Sequence, residues 1–251
     1  MEWQEKEERL REFFGLSSHI DMLEAGSREP EVTEKTRDHL ARFNLEWQII
    51  PSASAVAFDE SYLERLYPMR ARDFCRPAHL HARSCLSALS VGHRRHQGQV
   101  IAVETTRKPR YLPGNRQYYG TPYGFDATAD PFAPYIGRAG FLSGTRYAHN
   151  YLSLREFIDV VNRDWRARGF MPDGYRLTIC PPGVFNLVGT VFHPEWSETE
   201  SLELGFYRDE HDNATCYAVG SNGPGDFSYI HEVETDSDWT LLGFRTVLVA
   251  V

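Results

Sequence analysis

The last third of this chain constrains its fold more than any other part. Six runs rich in β-branched and aromatic residues follow one another there: Tyr175–Cys180, Val184–Phe192, Leu202–Arg208, Ala214–Val219, Phe227–Thr235 and Trp239–Val249. Turn residues separate them, which is the pattern of strands joined by short loops. In Leu202-Glu-Leu-Gly-Phe206 the apolar residues alternate, so that strand should bury one face and wet the other. Asp209-Glu-His-Asp-Asn213 reads as a hairpin loop, and Asn222-Gly-Pro-Gly-Asp226 as a tight turn. A parallel return needs a crossover of a dozen or more residues, so strands on loops this short pair antiparallel. The expectation is a C-terminal antiparallel β-meander, able to curl into a partial barrel.

A helix should precede it and pack on it, over about 153–168. Ser153 and Glu156 have the spacing of a capping box, each positioned to satisfy a free backbone N–H of the first turn. Leu152 and Phe157 are spaced for a hydrophobic staple. Leu154, Phe157, Ile158, Val161 and Trp165 form one apolar stripe, and Gly169 suits the left-handed position after the last turn.

The N-terminal part, residues 1–100, reads as mainly helical. Trp3, Leu10 and Phe14 share a helical face, as do Val32, Thr36, Leu40 and Phe43 behind Pro30. A further helix opens with Asp59 as its cap and ends before Pro68, and 47–57 is apolar enough for a short strand. Residues 101–150 differ. The stretch from Arg107 to Phe125 mixes Pro, Gly, Tyr and Arg with no sustained period, the signature of an irregular binding loop or lid. No composition break marks a linker, so the 251 residues read as one α+β domain.

Several classes lose their footing on motifs alone. There is no Gly-x-Gly-x-x-Gly, P-loop, His-Glu-x-x-His, Gly-x-Ser-x-Gly or EF-hand loop. No run reaches the roughly 18 apolar residues needed to span a bilayer. The acidic first residues lack the apolar core of a signal peptide, so a cytoplasmic protein is expected. Cys75, Cys85, Cys180 and Cys216 are widely spaced and read as free thiols.

The net charge of −8 conceals an asymmetry. From Arg70 to Arg116 there are ten Lys/Arg against two acids; from Glu195 to Asp238 there are twelve acids against Arg208 alone. Either the two stretches face each other or the basic one serves an anionic ligand. Overall acidity disfavours a duplex nucleic-acid binder.

Four clusters could carry chemistry. Cys75, His79, His81, Cys85, His93 and His96 offer transition-metal ligands, though in no standard spacing; a helix over 77–90 would point His79 and His81 apart. His193-Pro-Glu195 followed by His231 has the ligand types of the facial triad that holds Fe(II), with zinc as the other candidate, and Arg245 beyond it could receive a carboxylate. The acidic loop Asp209–Asp212, with Glu200, Glu203, Asp226 and Glu232 as possible neighbours, reads most simply as a solvated hairpin tip. Arg107, Arg110 and Arg116 could hold an anion, with Tyr118, Tyr119 and Tyr123 offering stacking surfaces or, in Tyr119, an acid–base hydroxyl.

Two functional readings result. In one, a small-molecule enzyme works on an acidic or polar substrate in a β-rich pocket under the Arg/Tyr loop, with His193, Glu195 and His231 as catalysts with or without a metal. In the other, a binding module takes an anionic ligand or a single nucleic-acid strand through the Arg107–Tyr123 segment without chemistry.

Overall fold

The apolar spacing at the N-terminus produces the helices it implies. In the computed structural model, which describes residues 2–57, 59, 62, 65–66, 95–106, 110–112, 116–118, 130–136, 146, 149–198, 202–208, 214–220, 229–236 and 242–251, helix α1 spans Trp3–Phe14 and buries Leu10 and Phe14. Helix α2 spans Glu34–Arg42, capped by the Thr33 hydroxyl, which accepts from the Thr36 N–H, and buries Thr36, His39 and Leu40. Asp59 accepts the Tyr62 N–H at 3.1 Å, as a helix cap would; the rest of that expected helix, and the one over 77–90, lie outside the described residues.

Strands β1 (Leu45–Ile49) and β2 (Val100–Glu104) pair antiparallel, from Leu45 opposite Glu104 to Ile49 opposite Val100. The expected strand over 47–57 thus starts and ends earlier. In the central segment β3 (Arg110–Leu112) and β4 (Arg116–Tyr118) form a short antiparallel hairpin, and α3 (Ala133–Ile136) is a single turn. The longest helix, α4 (Tyr151–Ala167), is followed by β5 (Tyr175–Ile179), α5 (Pro182–Val191) and a 3₁₀ turn over Pro194–Glu198. Then come β6 (Leu202–Arg208), β7 (Ala214–Gly220), β8 (Tyr229–Val233), β9 (Leu242–Phe244) and β10 (Thr246–Ala250).

The meander is real over β6, β7 and β8, which pair antiparallel in sequence order. Beyond it the chain departs from a simple meander. β9 joins the same sheet parallel to β6, giving the order β8-β7-β6-β9. β10 then crosses to a second four-stranded sheet, β1-β2-β10-β5, so the first and last thirds of the chain share one sheet. Only Arg245 separates β9 from β10. The sheets do not close into a barrel.

The β1-β2-β10-β5 sheet carries helices on both faces, which is why β2 and all but the last residue of β10 are buried throughout. On one face Ile101, Val103, Val247 and Val249 pack with α1, α5 and Trp196. On the other Ala102, Leu177 and Leu248 pack with α2, α3 and the stripe of α4, which is Leu154, Phe157, Ile158, Val161 and Trp165 as expected. β5 is an edge strand, and α4 guards it. The Asn162 amide donates to the Leu177 carbonyl and accepts the Leu177 N–H, mimicking one rung of a further strand.

Two local expectations are corrected. The run 184–192 lies on helix α5 (Pro182–Val191) and its C-cap Phe192, not on a strand, and positions 182–189 are all buried. A run that is mostly apolar, interrupted here only by Asn186 and Thr190, carries little periodicity to separate a buried helix from a buried strand. The informative residues were Pro181 and Pro182, at the N-cap and first helical position. Helix α4 starts two residues earlier than expected: Asn150 is its cap, accepting from the Ser153 N–H at 3.0 Å, while Ser153 reaches back to the Asn150 N–H. Ser153 thus fills the return position of the box instead of the cap. Leu152 consequently sits inside the helix on its outer side, 63% exposed, and makes no staple. Gly169 does take the left-handed conformation, at φ +66°.

A buried histidine links this core to pH. His39 stacks face to face on Phe170 at 3.8 Å and edge-on to Trp165 at 4.6 Å, and its Nε2 has no hydrogen-bond partner among the described residues. Burial, helped by Arg42, lowers its pKa to about 4. The folded state therefore holds it neutral while an unfolded chain takes up a proton near pH 6.5. Its contribution is complete above about pH 6.5 and is lost as pH falls toward 4. Each pH unit crossed removes at most about 1.4 kcal/mol. Urea titrations at pH 7 and pH 5 should show a lower midpoint at pH 5, and His39→Phe should flatten that dependence; an unchanged slope in the variant would sink the assignment.

Candidate anion-binding cleft

Helix α4 is apolar on one side and arginine-rich on another. Arg155, Asp159, Arg163 and Arg166 recur at spacings of four, four and three, which places them on one helical face over about 16 Å. That face borders a cleft of about 580 Å³ running along edge strand β5. Ile158, Asn162, Leu177 and Ile179 line it from the helix side. Because side chains alternate along a strand, Arg176 and Thr178 reach it from the opposite face of β5, where Val249 is the cross-strand partner of Arg176. Arg95 and His96 complete that side.

The cleft holds, among the described residues, five arginines, Arg95, Arg155, Arg163, Arg166 and Arg176, against a single side-chain carboxylate, Asp159. Among the described residues none of the five is held by a carboxylate, whereas Arg168, just beyond the stripe, pairs with Asp164 at 3.0 Å. In a chain of net charge −8 this is a local reversal of sign. A cationic concavity of this kind concentrates anions.

His96 is the unusual member. It is 8% exposed, and its Nδ1 finds no hydrogen-bond partner among the described residues. Burial pulls its pKa down to about 4, and the neighbouring Arg95 and Arg176 charges add to that against a hydrogen bond from Gln99. The ring is neutral at ordinary pH, with one polar atom unmatched in a cleft of cations.

The residues singled out in the sequence fall in other places. His193 and Glu195 come together on the 3₁₀ turn after α5, with Nδ1 to Oε1 at 2.8 Å. The His193 ring stacks on Trp196 at 4.8 Å, and the Arg245 guanidinium covers the Trp196 ring at 3.8 Å. These three candidates therefore share one neighbourhood around a fully buried tryptophan whose Nε1 has no partner among the described residues. A carboxylate that fixes one nitrogen of a histidine orients the other, an arrangement suited to general-base work.

Arg245 itself is 1% exposed and clamps the Glu203 carboxylate with both Nε and Nη2, at 2.9 and 2.8 Å. The carboxylate it receives is the protein's own. Glu203, expected as a neighbour of the acidic loop, is thereby committed to the interior. His231 lies on β8 opposite Ala218. Arg110 pairs in register with Tyr118, and Arg116 with Leu112, in the β3–β4 hairpin. Arg107, Tyr119, Tyr123, the 209–213 loop and all of the Cys75–His96 cluster except His96 lie outside the described residues. Among the described residues no group of three or more His, Cys, Asp or Glu is placed to hold a metal ion. Cys180 and Cys216 are free and buried, and burial pushes the Cys216 thiol up to about 12, so neither is set up as a nucleophile.

The cleft arginines escaped a reading by local charge density. Only Arg95 falls in the basic stretch from Arg70 to Arg116. The other four were visible as a helical period on α4 and as one exposed position of β5. Among the described residues no helix is long and apolar enough to cross a membrane. No protein-family model matches the chain, nor does any curated protein or solved structure match it.

Proposed function

We propose that this protein binds a small, multiply charged anion in the cleft along β5. The observation that carries this reading is the set of five arginines around one concave space, none of them held by a carboxylate among the described residues. Guanidinium groups left unpaired in a shared concavity repel one another until an anion offsets them. At about 580 Å³ the cleft falls in the size range of small-molecule sites. Isothermal titration calorimetry at low salt, with tripolyphosphate and citrate as probes, should detect binding that weakens as salt rises. Arg163→Ala with Arg176→Ala should weaken it at least tenfold. Absence of heat with both probes, at any salt, would falsify the proposal.

A catalytic version has its own support in the hydrogen-bonded His193–Glu195 pair. It calls for His193 to serve as a base on a bound substrate, with Arg245 and Trp196 as its rigid backing. His193 and Glu195 do not line the cleft along β5, so this version takes a separate substrate beside Trp196. Hydrolysis of an activated ester such as p-nitrophenyl acetate reads it out: that version needs turnover that His193→Ala abolishes, and turnover unaffected by the substitution would remove His193 from the chemistry.

A further inference from the structure

We infer that the anion is a linear chain of phosphates, with its terminal phosphate seated at His96; the inference rests on the cleft being an anion site. Three observations point the same way. First, the cations are spread along a line. Arg155 to Arg166 covers about 16 Å of helix, and Arg176 and Arg95 continue the charge around the edge of β5. A compact polycarboxylate presents its charges at a point, whereas a phosphate chain presents them in a row.

Second, donors outnumber acceptors heavily. Each guanidinium carries five N–H donors, and among the described residues the only side-chain carboxylate in the cleft is Asp159. Phosphate oxygens supply several acceptors per unit and match the guanidinium fork in bidentate fashion. Among the described residues no lysine lines the cleft, so each described cation there has that planar fork.

Third, His96 is more than nine-tenths buried, lines the cleft and lacks a partner for Nδ1 among the described residues. In the tautomer with its proton on Nδ1 it would donate to a terminal phosphate oxygen held by Arg95 and Arg176. Among the described residues the cleft offers no exposed base-stacking surface of the kind found in nucleic-acid and nucleotide sites. Phe206 is the only aromatic residue besides His96 that lines the cleft among the described residues, and it is buried. The phosphate chain is thus recognised for itself, without a base.

The full-length chain should be titrated calorimetrically with orthophosphate, pyrophosphate, tripolyphosphate, citrate, ATP and a single-stranded RNA dodecamer. Affinity should rise about tenfold with each added phosphate, one further charge-assisted contact per unit. Citrate should bind at least tenfold more weakly than tripolyphosphate, and ATP no more tightly than tripolyphosphate. His96→Ala should lower tripolyphosphate affinity about tenfold, and the exposed Arg163→Ala by a similar factor with the fold untouched. Citrate equal to tripolyphosphate would overturn the phosphate assignment and leave the anion site standing. ATP or RNA at least tenfold tighter than tripolyphosphate would overturn the base-free chain. Silence from every probe would bring down the anion site itself.

Discussion

Arg146→Met should lower the free energy of unfolding by about 3–5 kcal/mol, as expected when one partner of a buried charge network is removed. Arg146 is fully buried. Its Nε and Nη2 grip both oxygens of Asp130, at 2.5 and 2.6 Å, and its Nη1 meets Glu104 at 2.7 Å. Glu104 has no exposure of its own and also accepts from the Thr246 N–H and hydroxyl on β10. Methionine fills much of the volume and keeps contact with Phe132 and Phe244, whose rings face the guanidinium at 5.0 and 5.4 Å. It leaves two carboxylates in an apolar interior with one cation fewer, and the loss is one of charge rather than packing. Pairing it with Asp130→Leu should recover part of the stability, because it removes one of the two orphaned carboxylates and leaves only Glu104, which still accepts from Thr246. Urea denaturation of the two variants settles the matter: a single variant within 1 kcal/mol of wild type, or a double variant worse than the single, would contradict the account.

How far the sequence discloses this arrangement depends on the range over which each signal acts. β6 and β7 are legible because alternation and turn chemistry are local, and their register runs unbroken from Leu202 opposite Gly220 to Arg208 opposite Ala214. Helix α4 is legible from its apolar stripe, while its first turn is not, because Asn150 and Ser153 offer two ways to write the same cap. The β1-β2-β10-β5 sheet is hidden for a different reason. Val247 meets Val103 across most of the chain length, and no local pattern encodes that pairing. Helix α5 is hidden because total burial erases periodicity. The cleft shares both difficulties: Arg163 and Arg176 carry charges that look solvated in sequence, and only the docking of α4 along the edge of β5 turns them toward one space. Arg245 was conspicuous as a cation that could take a carboxylate, and it does take one, in Glu203.

Arg245 carries the second large expectation. It is the single residue between β9 and β10, so its backbone is the corner at which the chain passes from one sheet to the other. Its side chain fastens that corner. One end clamps Glu203 on β6, and Nη1 donates to the carbonyls of Glu104 and Thr106 at 2.6 and 2.8 Å, at the end of β2. The guanidinium face lies on Trp196, against the opposite side of the β-structure from α4. Arg245→Met should therefore cost about 3–5 kcal/mol, since it strands Glu203 and two carbonyls together. Arg245→Lys keeps the charge but not the fork, and a lysine cannot meet both Glu203 oxygens and both carbonyls, so most of the loss should remain. A double-mutant cycle with Glu203→Leu should return a coupling energy above about 1.5 kcal/mol, as expected of contacting residues in one buried network. This is also what separates a structural arginine from a ligand-binding one. If Arg245 served mainly to receive a substrate, Arg245→Lys would leave stability near wild type and weaken tripolyphosphate binding instead. The clamp geometry requires the reverse: a large fall in unfolding free energy, little coupling to the cleft arginines, and tripolyphosphate affinity unchanged in whatever fraction remains folded.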